Sequence, residues 1–105
     1  MSTYAVVRQA IIEKKQVTAV YDGFYREFCP HVIGTKNGKE QALVFQFGGE
    51  TSKGPIQDPE NSDNWRCFEL RKLENAAPRP GKWHTFNNHT KGTTCVDQID
   101  VEVDF

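Results

Sequence analysis

Apolar and polar positions change period twice along this chain. Between Thr3 and Lys15, Tyr4, Val7 and Ile11 recur at helical spacing with Ala10 beside them, Ser2 stands where an N-cap belongs, and no Gly or Pro interrupts. The spacing predicts one helix over 3–15. Its apolar stripe is too short to sustain a helix alone in water, so it is expected to lie on the sheet that follows. From Val17 the period falls to two: Val17, Ala19 and Tyr21 alternate with Thr18, Val20 and Asp22, and Asp22-Gly23 supplies the pair that a type I′ turn needs. The chain resumes at Phe24, runs to Thr35, turns at Asn37-Gly38, and returns through Gln41, Leu43, Phe45 and Phe47 in alternation. This predicts a meander of three strands, the second bent, bulged or at an edge near Pro30, which has no N–H for a ladder.

Residues 48–63 (GGETSKGPIQDPENSD) have no hydrophobic period and read as a long loop, either functional or mobile. A fourth strand is expected over 65–70, with Arg71, Lys72 and Leu73 after it and then a Pro-containing stretch over 76–81. The last segment alternates again, with Ile99, Val101, Val103 and Phe105 on one face and Asp100, Glu102 and Asp104 on the other, as in a half-buried strand. One helix followed by short strands with tight links predicts a mainly β fold, a small antiparallel barrel or strongly curled sheet over 16–105.

Composition narrows the picture. A length of 105 residues is one domain's worth, 1–105, and 37% hydrophobic residues suffice for one core. Thirteen Lys and Arg against fourteen Asp and Glu leave a net charge of -1, so any site for a polyanion must be a local patch. No apolar run approaches the length of a membrane span, and the N-terminal residues lack a signal-peptide core, so the expected setting is the cytoplasm, with no membrane partner. Three cysteines, Cys29, Cys67 and Cys95, are an odd count, which in that setting predicts reduced thiols and no disulfide framework.

The stretch Val17 to Val32 (VTAVYDGFYREFCPHV) carries Tyr21 at the end of a strand, then a turn, the pair Arg26-Glu27, and Pro30 shortly after. In this it resembles the start of a WYL domain. Ala42-Leu43-Val44 stands where the namesake Trp-Tyr-Leu triplet would be, and the segment from Trp65 to Leu73 (WRCFELRKL) stands for the later aromatic and Arg-rich strand, with Glu69 where an Arg is usual. The resemblance implies an SH3/Sm-like barrel with an N-terminal helix. It also implies a role of the kind such domains have in bacteria and phage-defence systems: sensing a ligand or nucleic acid and switching an attached effector, as in transcription regulation. WYL proteins commonly carry a winged helix-turn-helix; the residues ahead of Val17 are too few to form one, so sequence-specific DNA reading by that device is not expected.

Candidate chemistry centres on Arg26, Arg66, Arg71 and Lys72, with Tyr21, Tyr25 and Trp65 close in the pattern. Guanidinium groups fit phosphate or carboxylate and aromatic faces stack bases, so the mixture suits a nucleotide or single-stranded nucleic acid. The plainer reading is a set of solvated strand residues with ordinary ion pairs. Cys29, His31, Cys67, His84, His89 and Cys95 are of zinc-ligand type, but their spacings match no standard pair. Cys29 and His31, two apart, share a strand face if the strand is regular, yet nothing in the sequence supplies an oxyanion hole or substrate loop, and Cys29 reads more simply as core. The acids Asp100, Glu102 and Asp104 read as a solvated strand face, and Trp83 and Phe86 as a pocket lining or a plug for one end of the barrel. With the resemblance, these residues predict a non-enzymatic, WYL-like sensor or accessory domain that binds a nucleotide, nucleic acid or other anion, without cofactor or resident metal. The alternative is an interaction or assembly module pairing through strand edges with itself or another protein.

Overall fold

In the computed structural model, which describes residues 2–86 and 95–103, Ser2 Oγ accepts the Ala5 amide at 3.1 Å and opens helix α1, Thr3–Glu13. Lys14 takes the left-handed conformation and closes the helix short of the expected Lys15. The predicted stripe is the buried one: Val7, Ala10 and Ile11 pack on the sheet, and Tyr4 flanks them. Each fully buried Val or Ile contributes about 1.5–3 kcal/mol relative to exposure, more than the helix gains from its own propensity.

The fold is mainly β, with strands holding 54% of the described residues. Strands β1 (Gln16–Tyr21), β2 (Phe24–Lys36) and β3 (Lys39–Thr51) form the predicted antiparallel meander. Asp22 and Asn37, both at φ 53°, begin the two hairpin turns that the sequence marks. Register shifts between Glu27 and Phe28 and between Pro30 and Val32 bend β2, as Pro30 leads one to expect. The first half of β2 therefore pairs with β1 and its second half with β7 (Gln98–Glu102), while β3 runs along its other edge throughout.

Strand β3 extends to Thr51, into the segment read as loop, and turns into the short β4 (Gly54–Pro55). Gly48 and Gly49 permit this by lying directly against Glu27 and Arg26. A Cβ on Gly49 would sit 2.3 Å from the Tyr25 carbonyl oxygen, and its φ of 82° is itself a glycine conformation. Strand β5 (Trp65–Glu69) pairs with the first half of β3 and ends in a 3-10 turn, Leu70–Lys72. After it, β6 (Leu73–Arg79) pairs with β1, so the stretch read as Pro-rich connection is a strand. Among the described residues β6 has β1 as its ladder partner and is an edge, where Pro78 is tolerated. The helix and the 3-10 turn cover the main core of Val17, Phe28, Ile33, Val44 and Phe68.

The alternation in β3 has a different outcome from a half-buried strand. Ala42 and Val44 face the main core, while Leu43 joins Val32, Cys95 and Val96, with Trp65 alongside, in a second apolar cluster. Both faces of β3 are thus covered from Ala42 to Gln46. The last strand shows the reverse: Val103 is buried and Val101 half-buried, but Ile99 is 48% exposed. A register shift between Ile33 and Gly34 breaks the alternation there. Phe105 and Asp104 lie outside the described residues. The cysteines correct the expectation of reduced thiols, because Cys67 and Cys95 form a disulfide with Cα atoms 5.4 Å apart, and Cys29 is the free one. The segment entering β7 crosses the outer face of β2 and β3 to reach β5, a juxtaposition that counting cysteines does not reveal. No helix among the described residues is long and apolar enough to cross a membrane.

Candidate anion-binding cleft

Arg26 follows the first hairpin turn and points inward because its register partners, Ala19 on β1 and Gly49 on β3, leave room for it. It is 5% exposed. Its guanidinium carbon lies 5.4 Å from the Tyr21 ring centroid, 5.6 Å from Phe24 and 5.4 Å from Phe68. Nη1 donates to Gln46 Oε1 at 3.2 Å and Nη2 to the Tyr21 carbonyl at 3.1 Å, whereas the buried Nε has no partner. Gln46 is fully buried and held in this orientation, its amide nitrogen donating to the Gly48 and Glu50 carbonyls. Burial lowers the pKa of Arg26, Asp22 works against that shift, and the nearby Arg66 adds to it. A guanidinium nevertheless stays charged at any ordinary pH. Among the described residues no carboxylate lies within ion-pair distance of Arg26 or Arg66.

Beside Arg26 opens a cleft of about 540 Å³, lined by Tyr21, Asp22, Lys53, Arg66 and Phe68 among others. Arg66 Nη1 donates to the Asp63 carbonyl at 2.9 Å and the Trp65 carbonyl at 3.0 Å, which fixes the end of the loop against β5. Tyr21 stacks on Phe68 at 4.2 Å and accepts the Glu69 amide on its hydroxyl at 3.1 Å, giving the cleft a rigid aromatic wall. Its size falls within the range of small-molecule sites, and its charges are two guanidiniums and an ammonium against the carboxylates of Asp22 and Asp63.

The structure thus brings together Tyr21, Arg26 and Arg66 of the residues read from sequence and places the others elsewhere. Lys72 and Arg71 gather on Glu69, at 3.1 and 3.6 Å, with Lys39 at 4.0 Å. These contacts, Lys72 first, hold the Glu69 carboxyl below the usual range. The 3-10 turn carries Arg71 to two smaller clefts of about 230 Å³ that share Glu40. Trp65 packs edge-on against His31 and Phe45. Tyr25 is 48% exposed, its hydroxyl donating to Glu27. Gln46, Lys53 and Asp63 are additions. Gln46 left a signal, a polar residue in phase with Ala42 and Val44 on the core face; Lys53, in a turn, left none.

Among the described residues the sulfur and imidazole side chains do not gather into one set, and Cys67 and Cys95 are joined to each other. No group of three metal-ligating side chains occurs among the described residues; His89 lies outside them. His31, fully buried, donates from Nδ1 to the Cys29 carbonyl at 2.8 Å rather than to its thiol, and its Nε2 lies 2.8 Å from Thr85 Oγ1. Trp83 tilts over the same ring at 4.8 Å and is partly buried against the core. Cys29 Sγ accepts the His84 amide, and burial pushes its pKa up to about 12, so it is a protonated core thiol at neutral pH. His84 stacks on Phe47 at 4.1 Å and bonds Glu60 at 3.0 Å. On the final strand, Asp100 is taken up by Tyr4 at 2.6 Å and Arg8 at 3.1 Å. No family model, curated protein or solved structure matches this chain.

Proposed function

We propose that this chain is a WYL-like sensing or accessory domain, without catalytic activity of its own, that binds a nucleotide or single-stranded nucleic acid in the cleft of Arg26 and Arg66. The observation that carries the reading is Arg26: a guanidinium 5% exposed, with an unpartnered Nε and, among the described residues, no carboxylate within ion-pair distance. A buried charge without a close counter-ion is costly, and a phosphate entering the cleft would supply that counter-charge. Arg66 and Lys53 supply further cations at the same cleft. Tyr21 and Phe68, buried and stacked on each other, form the backing against which Arg26 is held at the cleft.

The test is fluorescence anisotropy with a short labelled oligothymidylate, competed by nucleoside mono- and triphosphates. Binding is expected to weaken with rising salt as counterions are released. Arg66→Ala is expected to cost about tenfold or more in affinity, while Arg71→Ala, on the Glu69 cluster, leaves it unchanged. Absence of binding to every probe, or equal loss in both variants, would overturn the reading.

A further inference from the structure

Residues 95–98 are docked by modest means apart from one bond, whereas the rest of β7 is tied to the main core and the helix. The ladder of β7 on β2 spans Val32 to Thr35, with Asp97 N donating to the Thr35 carbonyl at 2.8 Å and Val103 N to the His31 carbonyl at 2.7 Å. Gln98, Ile99 and Asp100 of β7 are exposed, but Val101 and Val103 pack on the main core and Asp100 is held by Tyr4 and Arg8, whereas Cys95 and Val96 have only the small cluster with Val32 and Leu43 beside Trp65. The approach is close: a Cβ on Gly34 would meet the Gln98 carbonyl oxygen at 2.0 Å and Val96 Cγ1 at 2.6 Å. Against these ties stands the covalent bond from Cys95 to Cys67. The two bonded residues differ in access, Cys67 being exposed and Cys95 fully buried. Cys67 also sits between Arg66 and Phe68, and all three line the anion cleft.

We propose that the Cys67–Cys95 disulfide is a thiol-exchange site, and that its reduction by a dithiol frees residues 95–98 from the outer face of β2 and β3 and weakens ligand binding in the adjoining cleft. One thiolate of the reductant attacks the sulfur of Cys67, the exposed residue of the pair, and the S–S bond breaks with its electron pair on Cys95, which takes up a proton. The second thiolate of the reductant then attacks its own sulfur in the mixed disulfide and displaces Cys67, which is protonated in turn. Two electrons and two protons pass to the protein, and the dithiol leaves as a cyclic disulfide. Cys29 stays outside this exchange, being buried and protonated. Freed from the disulfide, residues 95–98 keep the backbone pairing at Thr35 and a small apolar contact, the kind of element that opens locally while the rest of the domain stays folded. Loss of the bond also removes the lateral anchor of β5 between two cleft residues. This last step rests on the anion-cleft reading; the release of the segment does not.

The experiment is hydrogen exchange on the whole chain, oxidised and then treated with dithiothreitol, alongside oligothymidylate anisotropy on the same samples. Reduction is expected to make Cys67 reactive to a thiol reagent in the native protein, to speed amide exchange about tenfold or more in residues 95–98, and to leave Val17, Phe28, Val44 and Val103 protected. Oligothymidylate affinity is expected to fall several-fold in parallel. Cys67→Ser, at an exposed position, should reproduce the reduced pattern without reductant, and Gly34→Ala should reproduce the fast exchange while the bond is intact. Unchanged exchange in the reduced protein and in Cys67→Ser would overturn the proposal, as would faster exchange with unchanged affinity. Failure of both redox forms to bind any anion would instead overturn the cleft reading, and with it only the coupling step, since the exchange profile still decides whether the segment is released.

Discussion

Arg26 holds its charge where little water reaches, and its surroundings separate two roles that a single substitution would confuse. Its stem and guanidinium plane pack on Tyr21, Phe24 and Phe68, while its donors satisfy Gln46 and the Tyr21 carbonyl. Arg26→Ala removes packing and leaves a buried acceptor on Gln46, an expected loss of about 2–3 kcal/mol in urea unfolding. Arg26→Met keeps the packing and removes an imperfectly compensated charge, so its stability is expected within about 1 kcal/mol of the parent although anion binding is lost. A Met variant as unstable as the Ala variant would mark the charge as structural. A second residue-scale prediction concerns alkali. Burial raises Cys29 from 9.0 to about 12, and burial together with the Asp100 hydrogen bond raises Tyr4 from 10.0 to about 12. Both shifts favour the protonated form in the folded state, so their stabilisation is complete below the ordinary values and is lost as pH rises towards 12. Melting temperature against pH should decline through that window, and less steeply in Tyr4→Phe. At the acid end the Tyr4 and Arg8 contacts lower the Asp100 pKa, so its contribution, present above the ordinary carboxylate range, is lost as pH falls below it; Asp100→Asn should flatten the acid limb.

At the scale of elements, the hairpins were the legible part. Asp22-Gly23 and Asn37-Gly38 set both turns, and with them the register that buries Val17, Ala19 and Tyr21. The helix was legible from its stripe and its Ser2 cap. Strand β6 was not, because its sequence, LENAAPR, lacks alternation and contains a proline that only an edge tolerates. The extension of β3 was hidden for a related reason: Gly48 and Gly49 look like loop residues, yet here they let β3 lie flat against Arg26 and Glu27. Gly49→Ala places a methyl group against the Tyr25 carbonyl in a left-handed backbone, so a loss of about 2 kcal/mol or more is expected in thermal unfolding, with Gly23→Ala, whose Cβ meets nothing within 4 Å, costing less. Equal losses would show that the backbone conformation alone decides and the close approach adds nothing.

For the whole molecule, what the sequence withheld was convergence in space. Arg26 and Arg66 meet because β2 and β5 flank β3, whereas Arg71 and Lys72, a few residues after Arg66 in sequence, are turned onto Glu69 by three residues of 3-10 helix. An odd cysteine count suggested reduced thiols, and a separation of 28 residues carries no hint that the outer face of β3 brings two of them together. Closing a loop of that length restricts the unfolded chain by about 3–4 kcal/mol on the chain-entropy account, so Cys67→Ser should lower the urea midpoint by a corresponding amount. The same bond governs how the molecule would respond to force. Pulled from its two ends, the chain can surrender the Tyr4–Asp100 contact and peel β7 from β2, but the span between Cys67 and Cys95 adds no length while the sulfurs remain joined. Those 28 residues are on the order of 100 Å of stored contour, released only when a reductant is present, so a single-molecule extension trace would show the chemical state of the protein as a difference in reach.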